Sequence, residues 1–188
     1  MKTELDKCMA GEWYDCHDPI FITQKGKTRQ LLARYNALPY EEKKTKQEVL
    51  KEMFGSIGNN VSVGTPFLCD YGCNIHIGDN VSVNMNCSFI DCNKITIGSH
   101  VLTHPIELSE RLTPGWTPDQ AAYFCRTYAL PVTIEDGCWI GGGVIILPGV
   151  TIGKGCVIGA GSVVTKNIPA DSLAVGNPCR VIREINKK

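Results

Sequence analysis

Residues 134–169 cut into sixes without a slip: IEDGCW, IGGGVI, ILPGVT, IGKGCV, IGAGSV, VTKNIP. Ile134, Ile140, Ile146, Ile152, Ile158 and Val164 open the units, while Cys138, Val144, Val150, Cys156, Ser162 and Ile168 hold the fifth place. A helix repeats side-chain direction every 3.6 residues and a strand every two, so neither produces a period of six. A short strand followed by a tight turn does, and a chain built of such units winds into a parallel β-helix. Glycine, Asn, Asp and Pro at the turn places accept the backbone angles that tight turns demand. The spacing predicts that the leading aliphatic and the small fifth residue both face the interior, with three units closing one triangular coil.

The same pattern begins at Ile57 as IGNNVS, VGTPFL, CDYGCN, and resumes as IGDNVS, VNMNCS, FIDCNK after two extra residues, Ile75 and His76. A second pair, Ile95 and Thr96, precedes IGSHVL. The repeat is then absent over residues 103–131, which carry Pro105, Pro114 and Pro118 with Trp116, Tyr123, Phe124 and Tyr128. An aromatic insertion leaving a rigid solenoid is expected to be a functional loop or a partner contact. Upstream, residues 2–10, 26–38 and 41–54 read as helices: Leu31, Leu32, Tyr35 and Leu38 share one face, and Pro39 stops the second helix. A solenoid end needs covering, which gives this segment a role as a cap. The expected organisation is an all-β core, a left-handed parallel β-helix over residues 57–188, with a helical cap and acceptor-site segment at 1–56. A long excursion loop at 103–131 and a tail at 170–188, holding a strand or short tail at 177–185, complete it.

Charge excludes some functions. Lys+Arg and Asp+Glu both number 19, so nothing suggests a general nucleic-acid binder. No apolar run reaches the length of a membrane span and the first ten residues are charged, which together suggest a cytoplasmic protein. The ten cysteines form no CxxC pair, and Cys69 and Cys73 have no His or second Cys pair at finger spacing. Cys73, Cys87, Cys138 and Cys156 fall on the fifth place of a unit, where a reduced thiol packs as a small apolar group; all four are expected to be buried and unbonded.

Several stretches together point further: Met9-Ala-Gly-Glu-Trp-Tyr14, Cys69-Asp-Tyr-Gly-Cys-Asn-Ile75, Thr103-His104-Pro105, Trp139-Ile-Gly-Gly-Gly143, and residues 159–166 followed by Gly176-Asn-Pro178. In this order they resemble the hexapeptide-repeat sugar O-acetyltransferases, the maltose and galactoside enzymes with their nodulation-protein relatives. The resemblance implies a homotrimer that binds acetyl-coenzyme A and an acceptor sugar between subunits, with no metal, no nucleic acid and no membrane. It places the general base on His104, with Asn84 beside it in catalysis. Imidazole is the side chain suited to take a proton from a weakly nucleophilic hydroxyl near neutral pH.

By the same resemblance Asp15, Asp70 and Asp91 hold the acceptor. Trp139, Gly142, Ala160, Thr165 and Lys166 line the coenzyme path, with Arg180 and Arg183 meeting its phosphates. The family's Arg near Thr23 is missing here; Gln24, Lys25 and Lys27 are the neighbours. The resemblance also implies a further strand-and-turn section between Leu102 and Thr103. Two other readings remain open. One is a non-catalytic trimeric scaffold, separated by an acetyl-transfer assay. The other is a carbonic-anhydrase-like zinc site on His76, His100 and His104, separated by metal analysis.

Overall fold

The computed structural model describes residues 2–109, 111–112 and 126–185. Three parallel sheets form the sides of a triangular β-helix. Face one stacks β2 (Ser56–Ile57), β5 (Ile75–Ile77), β8 (Ile95–Ile97), β13 (Val132–Ile134) and β16 (Thr151–Ile152). Face two stacks β3 (Ser62–Val63), β6 (Ser82–Val83), β9 (Leu102–Thr103), β14 (Trp139–Ile140), β17 (Val157–Ile158) and β19 (Ser172–Val175), with β20 (Arg180–Glu184) folding back antiparallel on the last. Face three stacks β4 (Phe67–Cys69), β7 (Cys87–Ile90), β10 (Ile106–Ser109), β15 (Val144–Ile146) and β18 (Val163–Val164). The six leading aliphatics of residues 134–169 are fully buried and all six fifth-place residues are buried as well, so the hexad is the core pattern.

The corner between faces one and two shows why particular residues occupy the turns. Asn60, Asn80, His100, Gly137, Gly155 and Asp171 all have φ between 54° and 69°. This left-handed region suits Gly best and Asn or Asp next. Between coils Asn60 Nδ2 donates to Asn80 Oδ1 at 2.9 Å.

Four expectations need correction. The extra residues of the first coils do not lie at Ile75-His76 and Ile95-Thr96, which are strand residues paired with each other in register. They enlarge the corner between faces three and one, at residues 70–74 and 91–94. Cys73 therefore leaves the hexad and is exposed, whereas Cys87, Cys138 and Cys156 are buried and free; burial pushes the Cys138 thiol up to about 11. Cys125 lies outside the described residues.

The excursion also starts later than expected. Thr103 belongs to β9, and β10 pairs with both β7 and β15, so residues 103–109 complete the third coil. Of the loop aromatics, Trp116, Tyr123 and Phe124 lie outside the described residues. Tyr128 lies on β12 (Arg126–Ala129), which pairs antiparallel with β1 (Tyr14–Asp15) and β11 (Arg111–Leu112). Its ring meets Trp13 with centroids 4.8 Å apart.

The cap is helical, but its second helix begins earlier than its apolar face suggested. α1 (Glu4–Met9) opens with a capping box between Thr3 and Asp6. α2 (Pro19–Ala37) starts where Asp18 accepts from Ile20 N at 3.0 Å and Pro19 takes the first helical position. Gly26 sits in its interior facing open space. α3 (Lys43–Met53) follows. The exposed edge of the first coil is closed by α2: Phe67 N donates to Asn36 Oδ1 and Asn36 Nδ2 donates to Phe67 O, both at 2.9 Å. One amide side chain thus replaces a missing neighbouring strand. Tyr35 Oη donates to Val63 O at 2.6 Å on the next face.

Candidate active site

The corner between faces two and three gathers five of the expected residues. Register pairs Leu102 with Trp139 and Thr103 with Ile140, and His104 N donates to Ile140 O at 2.9 Å. The pairing of Val83 with Thr103 sets Asn84 on the coil below, one strand spacing away. The half-buried His104 ring meets Trp139 edge-on, with centroids 5.3 Å apart and planes at 70°. Its nitrogens have no hydrogen-bond partner among the described residues. Asn84 Oδ1 accepts from Met85 N at 2.8 Å.

Above His104 the corner narrows. A Cβ at Gly142 would lie 3.7 Å from His104 Cβ, and one at Gly141 would lie 2.6 Å from Ala160 N. Gly141 is therefore fixed by close approach of two coils. Ser162 Oγ donates to Gly159 O at 2.6 Å and accepts from Gly176 N at 3.0 Å, which ties the Gly159–Ala160 turn to the loop above it.

Leu102 and Thr103 are consecutive within one strand, so the expected additional section is absent and Thr103-His104-Pro105 itself forms the corner. That short connection is why the motif sits in the solenoid wall instead of beyond it.

Asp70 and Asp91, expected on the acceptor side, lie at a different corner, between faces three and one. Asp70 pairs with Lys25 Nζ at 3.0 Å. That ammonium also lies 5.1 Å from the centroid of the Tyr71 ring. Asp91 is fully buried, and its Oδ1 accepts from Asp70 N at 2.9 Å and Tyr71 N at 2.8 Å. Burial pushes its pKa up to about 7, against the pull of those backbone amides. Its Oδ2 has no hydrogen-bond partner among the described residues. Asp91 thus shapes the turn that presents Asp70 and Tyr71. Exposed Asp15 accepts from His17 N at 2.9 Å through Oδ1.

Higher along this second corner, exposed Thr165 and Lys166 follow β18. Arg180 and Arg183 are exposed on β20. The structure therefore assembles nine of the expected residues as two groups, with Asp15 on β1 and Arg180 and Arg183 on β20 outside them. His104, Asn84, Trp139, Gly142 and Ala160 share one corner; Asp70, Asp91, Thr165 and Lys166 share another.

His76, His100 and His104 occupy a strand of face one and two separate corners. No group of three or more His, Cys, Asp or Glu suited to a metal occurs among the described residues.

Two family profiles match the chain. Residues 7–58 match the maltose acetyltransferase hexapeptide capping motif, and residues 131–166 match the bacterial transferase hexapeptide of six repeats. A maltose O-acetyltransferase from Clostridium difficile 630 is 41% identical with a TM-score of 0.95, and the similarity covers 99% of each chain. The chain belongs to the hexapeptide-repeat maltose and galactoside acetyltransferase family.

A galactoside acetyltransferase in complex with coenzyme A is 36% identical with a TM-score of 0.93, covering 99% of this chain and 92% of the other. A relative from Saccharomyces cerevisiae is 42% identical over 195 aligned positions that draw on 98% of this 188-residue chain and 94% of the relative. An alignment longer than the chain opens gaps within it, in keeping with a solenoid that lacks a section. This acetyltransferase has no helix among its described residues long and apolar enough to cross a membrane.

The sequence reading missed the Lys25–Asp70 ion pair, because lysines on a charged helix carry no mark of a partner 45 residues away. It also missed Lys43, Lys46 and Tyr40. They line a cavity of about 550 Å³ between α3 and face two, which extends to Asn84.

Proposed function

We propose that this acetyltransferase moves the acetyl group of acetyl-coenzyme A directly to a hydroxyl of a maltose-, glucose- or galactoside-like sugar, as a homotrimer whose sites lie between subunits. The observation that carries the reading is the half-buried imidazole of His104, one coil above Asn84 and edge-on to Trp139. Neutral imidazole takes the hydroxyl proton as the oxygen attacks the thioester carbonyl. The coenzyme thiolate leaves and takes up the proton from the imidazolium. The Asn84 amide lies within one strand spacing and serves to orient the acceptor or donate to the tetrahedral oxygen.

The missing side chain at Gly142 and the small one at Ala160 leave room for the narrow pantetheine arm, and Trp139 flanks it. Thr165, Lys166, Arg180 and Arg183 meet the phosphates by charge-assisted hydrogen bonds. Asp15 and Asp70 accept from sugar hydroxyls, and Asp91 supports Asp70 from behind.

The two groups of residues sit on different corners of the triangular solenoid, so one chain alone does not surround one coenzyme. A trimer that apposes the first corner of one subunit to the second corner of the next completes each site. Coenzyme A release measured over a panel of sugars, with His104→Ala beside the parent protein, tests the reading. Sugar-dependent thiol release that the variant loses supports it. Absence of release with every sugar, or equal release by the variant, overturns it.

A further inference from the structure

The cavity between α3 and face two has a lining that a neutral sugar does not require. Its floor is polar, with Ser62, Ser82 and Asn84 along two coils, and Tyr40 at its mouth is 77% exposed. Exposed aromatic faces and clustered hydroxyl and amide groups suit a carbohydrate ring. Among the described residues the charged side chains lining the cavity are Lys43 and Lys46, and no carboxylate lines it. Lys46 Nζ lies 5.4 Å from the Tyr35 ring centroid and Lys43 Nζ lies 5.6 Å from that of Tyr40. Each ammonium group lies over an aromatic face and makes no ion pair among the described residues.

Helix stability does not account for these lysines. The first turn of α3 contains no acidic residue, and Glu42 at its N-cap makes no side-chain cap. Instead Glu42 Oε2 accepts from Thr45 Oγ1 at 2.9 Å. Cations near the positive end of a helix dipole are unfavourable. Ammonium groups placed against that preference, beside such a cavity, are free to contact an anion within it.

We infer that this cavity is an acceptor subsite for an anionic sugar, one bearing a phosphate or a carboxylate, gripped by Lys43 and Lys46. The inference rests on the sugar acetyltransferase reading given above. An acidic group between the lysines anchors the ring over the Ser62–Ser82–Asn84 strip. A ring hydroxyl is then directed along the corner towards His104, one coil beyond Asn84. Phosphate and carboxylate share the chemistry that the lysines recognise, and the two sources are separable by experiment.

Calorimetric titration of the full chain, saturated with coenzyme A to fill the donor's own phosphate contacts, measures binding of glucose 6-phosphate, glucuronate and glucose. Acetyl transfer to the same three compounds is measured separately. The expected result is tighter binding of one or both anionic sugars than of glucose, by about tenfold or more. The double substitution Lys43→Gln/Lys46→Gln then removes that preference, and added salt weakens it. Preference for phosphate over carboxylate, or the reverse, identifies the acidic group.

Equal binding of the three compounds overturns the inference, as does a preference that survives the double substitution. Acetylation of glucose without preferential binding of either anion overturns the anionic subsite and leaves the transferase reading standing. Lysine-dependent binding of the anions without transfer to any acceptor supports the subsite and removes the transferase reading.

Discussion

The corner between faces two and three and the corner between faces three and one are built on the same solenoid and do opposite things with it. The first is pinched: Gly141 cannot carry a Cβ without reaching 2.6 Å from Ala160 N. His104 and Asn84 project there from successive turns. The second is swollen by the extra residues at 70–74 and 91–94. Its turns are held by a fully buried carboxyl, Asp91, and by the Lys25–Asp70 ion pair. A tight corner fixes side chains by backbone geometry alone. An enlarged corner needs hydrogen bonds to define it, and it has room to receive the helical cap. In the proposed trimer, position comes from the first corner and polar recognition from the second.

The largest effect is expected at the pinched corner. His104→Ala is predicted to lower kcat by about a hundredfold to ten-thousandfold while leaving the fold intact, because general-base assistance has that size. Steady-state kinetics beside circular dichroism check it. A variant with full turnover shows that the ring on this corner is not the base.

At the swollen corner the expected effect is on stability. The folded state holds the Asp91 proton more tightly than the unfolded chain does. Its stabilising contribution is therefore complete below the ordinary carboxyl value of 3.8 and is lost as pH rises through about 7. The change amounts to a few kcal/mol, at most about 4. Denaturant titrations between pH 4 and 7 should show parent stability falling relative to Asp91→Asn, whose amide oxygen can still accept from Asp70 N and Tyr71 N. Parallel pH curves for the two proteins would contradict the account.

Lys166→Ala is predicted to raise the KM for acetyl-coenzyme A about tenfold with little change in kcat, since it removes a charge-assisted contact to a remote part of the donor. Smallest is the effect of Cys73→Ser, about 0.5 kcal/mol or less, because the side chain is exposed. In labelling experiments Cys73 should react with maleimide in the native state, while Cys87, Cys138 and Cys156 stay protected until unfolding.

What could be read from residues alone follows the same division. The six-residue period is a statement about which side chains meet the core, and the core is where one residue type per place suffices. Ile134 through Val164 were therefore legible, as was the cap from Pro39 and the apolar stripe at Leu32 and Tyr35. The enlarged corners were not: Cys-Asp-Tyr-Gly-Cys-Asn imitates a hexad in letters, but Cys73 sits in a turn that only the pairing of Ile75 with Ile95 reveals. The start of α2 was hidden because Asp18-Pro19 is a capping signal that an apolar-face count does not weigh. His104 was named by resemblance, yet its location in the wall depends on the length of the connection before it. Grouping of the site residues by corner is a property of coil phase, which no motif carries.

The claim that each site takes its first corner from one subunit and its second corner from the next is tested most directly by mixing two impaired variants, assayed at acetyl-coenzyme A well below the KM of the second-corner variant. His104→Ala damages the first corner and Lys166→Glu the second. Each is purified, unfolded, and refolded alone or in equal mixture, and acetyl transfer is measured per subunit. Random trimers place an intact first corner against an intact second corner at about one interface in four, so the mixture is predicted to recover about a quarter of parent activity. A mixture no more active than the two variants refolded separately would place both corners of each site within one chain and contradict the shared site.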